Sequence, residues 1–355
     1  MIRHIRFTAT GLLLAATALL QGCEPPPVET VQRGYRGTGM VEVYNPANLQ
    51  AAAANNTPPA SSPVASPDGP KASAIYKNVK VLGDLSVAEF AQTMVDMTNW
   101  VSPKQNCAYC HTADFADDSL YTKVAARRML QMTQHINRDW KVHVAGTGVT
   151  CYTCHRGNNQ PANIWTQSPE SQKTLAMLGQ WVGQNQPAPE VNLSALPSDV
   201  FTPFLKDAAS IRVVGTSALP EGNRTSIKQT EWTYGLMVHM SQSLGVNCTF
   251  CHNTRSFADW EASTPQRGTA YYGIRMVREL NNEYLTSLAD VLPKERMGPN
   301  GDVPKLNCAT CHQGAYKPLY GADLLRNHPA LTGVRAEAAP QAAAPAASAA
   351  SQAGS

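Results

Sequence analysis

The apolar and polar positions of this chain predict four helix-like stretches, at residues 88–100, 121–140, 231–244 and 270–288, each of which contains methionine. Each stretch precedes a Cys-x-x-Cys-His sequence. The segments between them are rich in residues that favour turns, above all Gly, Pro and Asn. The pattern therefore predicts a mainly α fold with much irregular loop.

The Cys-x-x-Cys-His sequences account for eight of the nine cysteines in the chain. Two cysteines three apart can reach the two vinyl groups of one porphyrin as thioethers, and the adjacent histidine can bind its iron. A single match could be chance or a zinc half-site. Four matches with histidine in the same place predict four covalently bound haem c groups. The four sets are Cys107, Cys110 and His111; Cys151, Cys154 and His155; Cys248, Cys251 and His252; Cys308, Cys311 and His312.

The N-terminus predicts export. A short basic start is followed by an apolar run at residues 11–20, which is too short to span a bilayer as a mature helix. Residues 1–22 therefore predict a signal peptide. Gly22 directly before Cys23 looks like a bacterial lipoprotein box and predicts lipidation of Cys23, and hence an anchor on a membrane surface. The alternative is a plain signal peptide with an incidental cysteine.

Other segments have little to bury. Residues 23–73 are predicted to be an N-terminal arm and an Ala/Pro-rich linker, loosely packed because residues 46–73 contain almost no aliphatic side chains. Residues 167–227 connect the two parts of the chain that carry the motifs. Residues 323–355 form a C-terminal tail whose Ala/Pro-rich composition predicts disorder.

The chain repeats itself. Two motifs fall in residues 74–166 and two in residues 228–322, and Met129 and Met276 each follow an arginine at comparable places. The shared order of helix, turn and motif predicts an internal duplication, with two pseudo-twofold-related dihaem units packed around four haems. Four similar but unrelated haem loops are the alternative.

Composition sets limits on the function. Only 15% of the 355 residues are charged and 7% are aromatic, so haems would supply much of the apolar volume of the core. No second stretch reaches the ~20 apolar residues of a transmembrane helix. The formal net charge of +3 includes the signal peptide, and haem propionates add negative charge. Nothing in the sequence supports nucleic-acid binding.

Methionines spaced i, i+3 lie near one face of three of the predicted helices and are candidate sixth ligands of the irons. Spacing does not choose between the members of a pair, and methionine on an apolar face is also common core filler. Because one member could bind iron while the other packs beside the ring, each pair stays open. The pairs are Met94 and Met97, Met129 and Met132, and Met237 and Met240.

The fourth haem lacks such a pair. The repeat favours Met276 as its sixth ligand, because Met276 is the counterpart of Met129. Free histidines compete with it, and none of them stands out on spacing alone. They are His135, His143, His239 and His328.

Several segments beyond the motifs resemble one family, the tetrahaem cytochrome subunit of purple bacterial photosynthetic reaction centres. The resemblance runs from the lipoprotein box to about residue 331 and thins in the Ala/Pro linker and in the connection. The segments that carry it are residues 33–37, 76–83, 126–130, 148–157, 247–253, 263–267, 273–278 and 317–322.

The resemblance implies a ligand set. By position it makes Met94, Met129 and Met237 the sixth ligands of the first three haems and His143 that of the fourth. His143 overrules the repeat, so that Met276 becomes a packing residue. The resemblance also implies that Arg267 lies close to the third haem and raises its potential, because a positive charge favours the reduced form.

The resemblance further implies an electron-transfer subunit that re-reduces a photo-oxidised special pair. The implied location is the periplasmic face of the inner photosynthetic membrane, through the lipid anchor. Electrons would enter near the first haem from a soluble periplasmic cytochrome c or high-potential iron–sulfur protein, and leave from the third for the reaction-centre membrane subunits. The competing functions are a membrane-anchored respiratory carrier and a multihaem enzyme. An enzyme would need an open haem face, which the four implied sixth ligands do not leave.

Overall fold

The computed structural model describes residues 28–32, 41–60, 62–167, 196–197, 199–213 and 227–333. The expected signal peptide, the lipidation of Cys23 and most of the connecting segment lie outside these ranges. In chain order the named strands and α-helices are β1 (Glu29–Gln32), β2 (Val41–Tyr44), α1 (Pro46–Asn55), α2 (Ala72–Ile75), α3 (Val87–Val101), α4 (Tyr121–Asp139), α5 (Lys141–Val144), α6 (Cys151–His155), α7 (Ile227–Leu244), α8 (Pro265–Glu279) and α9 (Cys308–His312).

The fold is mainly helical with much irregular loop, as the sequence predicts. The helix α3 begins at a capping box, in which the Ser86 hydroxyl accepts from the Glu89 N–H and the Glu89 carboxylate accepts from the Ser86 N–H. It extends one residue beyond the predicted stretch at each end. The helix α4 starts where predicted and ends one residue early.

The helix α8 differs most from its prediction. It begins at Pro265, five residues before the predicted start, because Thr264 is its N-cap and proline is favoured at the first helical position. After Glu279 the backbone continues as a π-helical turn over Leu280–Leu285 and a 3-10 turn over Thr286–Leu288. The predicted stretch at 270–288 is therefore three successive kinds of helix.

The N-terminal arm also differs from expectation. Residues 46–55, expected in a loosely packed linker, form α1, and Ala52 in it is buried. Alanine has the highest helix propensity, and Asn45 caps the helix by accepting from the Ala47 N–H at 2.9 Å. Small side chains then allow close packing, which a count of aliphatic residues does not predict.

Two clusters of buried side chains form the core. The larger joins α4, α7 and α8 to the connecting segment, which contributes Val200, Phe201, Phe204 and Leu205. The smaller surrounds Trp100 and Leu130 beside α3. Residues 165 and 305 pair through two backbone hydrogen bonds, so the two parts of the chain are joined directly.

The start of the predicted C-terminal tail is ordered by packing. Residues Leu325–Asn327 and Pro329–Thr332 form 3-10 turns, and Leu331 is fully buried in the smaller cluster. The Asn137 amide donates to the Leu331 carbonyl at 2.8 Å. The expected disorder therefore does not hold for residues 323–333, and residues 334–355 lie outside the described ranges.

Within the part of the chain that the structure describes, no helix is both long enough and apolar enough to cross a membrane.

Candidate haem-binding sites

The four Cys-x-x-Cys-His motifs have two local structures. The first and third motifs are 3-10 turns, over Asn106–Tyr109 and Cys248–Phe250. The second and fourth motifs are the short helices α6 and α9. The two kinds alternate along the chain, once in each half.

The helices α6 and α9 are built alike. The N–H of the residue before each helix donates to a threonine hydroxyl three residues on, from Thr150 to Thr153 and from Asn307 to Thr310, both at 3.0 Å. Each helix is followed by a residue in the left-handed conformation and then by a glycine at positive φ. The left-handed residues end the helices and turn the chain back.

The glycines after these helices tie each motif to a longer helix of the same half. The Gly157 N–H donates to the Trp100 carbonyl at 2.8 Å, near the end of α3. The Gly314 N–H donates to the Ser243 carbonyl at 2.7 Å, near the end of α7. The second motif therefore packs beside α3, and the fourth beside α7.

The motif histidines are oriented for coordination through Nε2. In three of them Nδ1 lies at hydrogen-bond distance from a main-chain carbonyl oxygen, which accepts the Nδ1 proton and leaves Nε2 as the free lone pair. The pairs are His155 with Asn158 at 2.9 Å, His252 with Phe257 at 3.0 Å and His312 with Ala315 at 3.0 Å. The His111 ring stacks on Phe115 with ring centroids 4.8 Å apart.

His143 faces the histidine of the fourth motif. The ring centroids of His143 and His312 lie 6.1 Å apart. A metal held between two imidazole nitrogens at about 2 Å from each would leave the ring centres about 6 Å apart. Burial, and then the neighbouring His143, lower the pKa of His312 to about 4, and burial lowers the pKa of His143. Both imidazoles are therefore neutral at pH 7, the form that binds metals.

The position of His143 depends on Gly273 in α8. A Cβ on Gly273 would lie 2.6 Å from Cε1 of His143, so only glycine leaves room for the ring. The Nδ1 of His143 lies 2.9 Å from the Thr269 carbonyl in the same helix, which accepts its proton. Together they orient the remaining nitrogen, Nε2, as the free lone pair.

The methionines divide by burial. Met132, Met240 and Met276 lie in the larger core cluster, each less than a tenth exposed. Met129 and Met237 are only partly buried and pack against the edge of that cluster. Met94 and Met97 are both partly buried against the smaller cluster, so burial does not separate them.

The other candidate histidines have protein partners. The His239 Nε2 lies 3.2 Å from the Ser243 hydroxyl, and burial lowers the pKa of His239 to about 4. His135 pairs with Glu279, and its Nδ1 lies 2.6 Å from Asp139. Nδ1 of His328 lies 3.5 Å from Asp96, and its ring is edge-on to Trp100.

Arg267 lies at the start of α8, over the loop that follows the third motif. Its guanidinium donates to the Asp259 carbonyl and to the Ser263 hydroxyl, both at 2.7 Å, and stacks 4.7 Å above the Trp260 ring. Its charge lowers the pKa of His252, after burial, which has the largest effect. Arg267 is therefore close enough to the third motif to influence charge there.

The eight motif cysteines form no disulfide bonds. The sulfurs of Cys154 and Cys311 lie 2.8 Å apart, so the second and fourth motifs meet. An open cleft of about 440 Å³ beside the third motif is lined by Cys248 and by residues of β2 and α7. The eight cysteines are therefore free thiols, the form that thioether attachment of haem requires.

Sequence reasoning missed residues outside the motifs that hold them in place. Glu42 is fully buried in β2 and accepts from the Asn247 N–H at 3.1 Å and the Thr249 hydroxyl at 3.2 Å, at the third motif. Gly273 stands in a segment already singled out, but only the position of His143 gives its reason. The one available signal for Glu42 was a lone acid between two valines.

The sequence matches one family over most of its length. A sequence model described as photosynthetic reaction centre cytochrome C subunit matches residues 24–332. The chain is 53% identical over 336 residues to the photosynthetic reaction center cytochrome c subunit of Rubrivivax gelatinosus, covering 94% of this chain and 92% of that one. It is 50% identical over 327 residues to that of Thermochromatium tepidum, covering 92% and 80%.

Proposed function

This chain belongs to the family of photosynthetic reaction centre cytochrome c subunits, and we propose that it re-reduces the photo-oxidised special pair of a reaction centre through four c-type haems. The observation that carries the proposal is the match over residues 24–332, which extends far beyond the haem motifs. Each haem would supply a reversible one-electron iron couple. In this proposal the protein is an electron carrier, and its side chains make or break no bonds in a substrate.

The motifs hold the haems in this proposal. The eight motif cysteines would form the thioethers, and the neutral motif histidines would bind iron through Nε2. The sixth ligands we propose are Met94, Met129 and Met237 for the first three haems and His143 for the fourth.

Bis-histidine ligation of the fourth haem is supported by geometry. The 6.1 Å spacing of the His143 and His312 rings suits two bonds to one iron. Met276, the ligand that the repeat favours, lies instead in the core with 7% of its surface exposed.

The choice of Met129 and Met237 is supported by burial. Their partners, Met132 and Met240, are buried members of the larger core cluster, whereas the proposed ligands are only partly buried and pack against it. For the first haem, only the family resemblance favours Met94 over Met97.

Contacts between the motifs support an order for the electrons. The helix α3 contacts the second motif, α6 contacts α9, and α9 contacts α7. The rings of Phe250 in the third motif and Tyr316 after the fourth lie 4.8 Å apart. We propose that electrons enter at the first motif and pass the second and fourth before leaving at the third.

The same contacts support a pseudo-twofold arrangement. The pairs α3 with α6 and α7 with α9 have matching glycine hydrogen bonds, and Cys154 meets Cys311 between them. An axis between α6 and α9 would exchange the two dihaem units, residues 74–166 and 228–322.

The location and partners are also proposals. We propose a lipid anchor at Cys23, placement at the periplasmic face of the photosynthetic membrane, and docking of the third-motif side on the reaction-centre membrane subunits. The electron donor would be a soluble periplasmic cytochrome c or high-potential iron–sulfur protein. Arg267 would raise the potential at the exit by favouring the reduced iron.

Flash spectroscopy on intact membranes tests the function. A flash that oxidises the special pair should be followed by oxidation of c-type haem, with the chain co-purifying with bacteriochlorophyll. Membranes in which light oxidises no haem of this protein would contradict the proposal and favour a respiratory carrier.

A further inference from the structure

Asn56, the residue after α1, is fully buried although it belongs to the N-terminal arm. Its Nδ2 donates to the Ala52 carbonyl at 2.9 Å and to the Gln313 carbonyl at 3.0 Å. Its Oδ1 accepts from the Leu319 N–H at 3.0 Å. Two of these three bonds therefore reach the segment that follows the fourth motif.

That segment has an unusual backbone. Gln313, Leu319 and Tyr320 have φ angles of 48°, 55° and 53°, in the left-handed region that L residues rarely adopt. Asn56 bonds to Gln313 and Leu319, which stand at either end of a short loop. A single side chain thus holds both ends of a loop whose backbone is otherwise disfavoured.

The loop between these two residues orients the fourth motif's histidine. Ala315 lies within it, 3% exposed, and its carbonyl accepts the Nδ1 proton of His312 at 3.0 Å. Because this bond sets the rotation of the imidazole, a shift of the loop would turn the ring about the bond to iron.

In the first half the contact with the arm runs the other way: the side chain of Arg156, the first residue of the equivalent loop, donates to the Asn55 carbonyl at 2.8 Å. After the second motif, the Asn159 amide donates to the Val101 carbonyl at 3.2 Å, within residues 74–166. In the second half the arm itself supplies the side chain, since Asn56 bonds to the loop across 257 residues of sequence. The arm therefore contributes to one motif of the pair in a way that it does not to the other.

Neighbouring residues make room for the arm. A Cβ on Gly314 would lie 3.2 Å from Cβ of Ala52, so glycine and alanine together allow α1 to approach. Arg156 donates to the Asn55 carbonyl at 2.8 Å and to the Cys311 carbonyl at 3.1 Å, and lies 3.4 Å from Oδ1 of Asn56. Arg156 also donates to the Thr153 carbonyl at 2.9 Å, and it keeps its bonds to these three main-chain carbonyls if Asn56 is shortened.

We propose that Asn56 is a positioning residue for the fourth haem, fixing the orientation of its histidine ligand through the backbone of residues 313–319. The inference rests on the proposed function in taking His312 as an iron ligand. It assigns to the N-terminal arm a role in setting the ligand geometry of one haem.

The test uses the full-length, haem-loaded protein in its membrane complex. Asn56→Ala removes these three bonds and the longer one from Arg156 at 3.4 Å, and Asn56→Asp keeps the acceptor for Leu319 while removing both donors. Asn45→Ala is the matched control, because Asn45 caps the other end of α1 and its side chain accepts from the Ala47 N–H within that helix. Electron paramagnetic resonance of the oxidised haems is the readout, since its g values follow the relative orientation of two imidazole planes rather than nearby charge.

The expected result is a shift and broadening of the bis-histidine signal in both Asn56 variants, with the three methionine-ligated signals and the Asn45→Ala spectrum unchanged. Unshifted signals in the Asn56 variants would overturn the proposal. An equal shift in Asn45→Ala, or shifts at all four haems, would also overturn it.

The proposed ligand set can be tested separately from the proposed role of Asn56. If the unsubstituted protein shows no bis-histidine signal, the assignment of His143 is wrong whatever Asn56 does. Hydrogen exchange then tests the contacts of Asn56 with residues 313–319 independently of haem ligation. Peptides covering residues 313–321 should exchange faster in Asn56→Ala than in Asn45→Ala, and equal rates would overturn the proposed role of Asn56.

Discussion

The two halves of the chain, residues 74–166 and 228–322, share one backbone arrangement but differ in the side chains that face their motifs. Each has a 3-10 motif, a short helical motif and a glycine that bonds back to a longer helix. The fourth motif faces His143, a side chain supplied by the first half. If His143 binds iron as proposed, one residue reaching across from the neighbouring half changes the ligand set of one haem in a duplicated fold.

The halves differ again beside their 3-10 motifs. His111 and His252 each stack on a phenylalanine, and Asp118 and Trp260 each stand three residues after it. Asp118 lies within about 3 Å of three basic side chains. Trp260 instead lies beneath Arg267, which donates to main-chain carbonyls. A carboxylate therefore pairs directly with the positive charges in the first half, whereas Arg267 in the second half donates to neutral groups.

The largest expected effect comes from replacing His143, the residue that faces the histidine of the fourth motif. His143→Ala should leave the fourth haem without its sixth ligand and produce a high-spin signal in optical and paramagnetic resonance spectra. Replacement by methionine should raise the fourth potential by on the order of 0.1 V, within the range that axial ligands set. Met276→Leu is the control and should leave every haem low-spin. A high-spin signal from Met276→Leu alone would show that the repeat predicts the ligand correctly.

A substitution beside His143 tests the position of its ring while leaving the histidine in place. Gly273→Ala adds a methyl group 2.6 Å from the ring and should shift the fourth haem's spectrum. The helix itself should gain up to about 1 kcal/mol, because alanine is a better helix former than glycine. Gly268→Ala in the same helix meets nothing within 4 Å and should leave the spectrum unchanged. Identical spectra for both variants would contradict the proposed position of His143.

A pair of methionines tests the division between ligand and core in the first half. Met129→Leu should yield a high-spin second haem. Met132→Ala should keep all haems low-spin but lower the free energy of unfolding by about 2–5 kcal/mol, because it leaves a cavity in the core. Denaturant titration and optical spectra of the two variants separate these effects. Exchanged outcomes would make Met132 the ligand.

The charge difference between the halves predicts a smaller effect. Arg267→Gln should lower the third potential by on the order of tens of millivolts, since a partly screened charge near the iron no longer favours its reduced form. The other three potentials should move less. Redox titration with each haem resolved spectrally measures this, and a largest shift at another haem would contradict the proposed role of Arg267.

The smallest expected effect is the acid response of Asp118. Hydrogen bonds, first from Arg127, hold the pKa of its carboxyl well below its usual range. Its contribution to stability is therefore present above about pH 4, the unfolded-state pKa, and is lost as the pH falls through the lower folded value. Urea midpoints measured from pH 7 to pH 3 should fall less steeply in Asp118→Asn than in the unsubstituted protein. Parallel curves would show that Asp118 does not contribute.

Sequence patterns predicted most of this arrangement where the signal is local. The Cys-x-x-Cys-His motifs are recognisable from sequence alone. The helices α3 and α4 begin and end within one residue of their predicted bounds. Burial then separates Met129 from Met132 and Met237 from Met240, which spacing could not do. The arm was missed because its packing rests on small residues and on partners in the fourth-motif segment. No periodic pattern encodes the contact of Asn56 with Gln313 or the need for glycine at residue 273.

The contacts of Asn56 also bear on the order in which parts of the chain fold. Its bonds to Gln313 and Leu319 span 257 and 263 residues, so these two contacts can form only after nearly the whole chain has followed. Contacts this distant in sequence form late, because closing such a loop costs chain entropy before any contact offsets it. The contacts of Asn56 with Gln313 and Leu319 therefore mark a chain that is complete through its fourth motif.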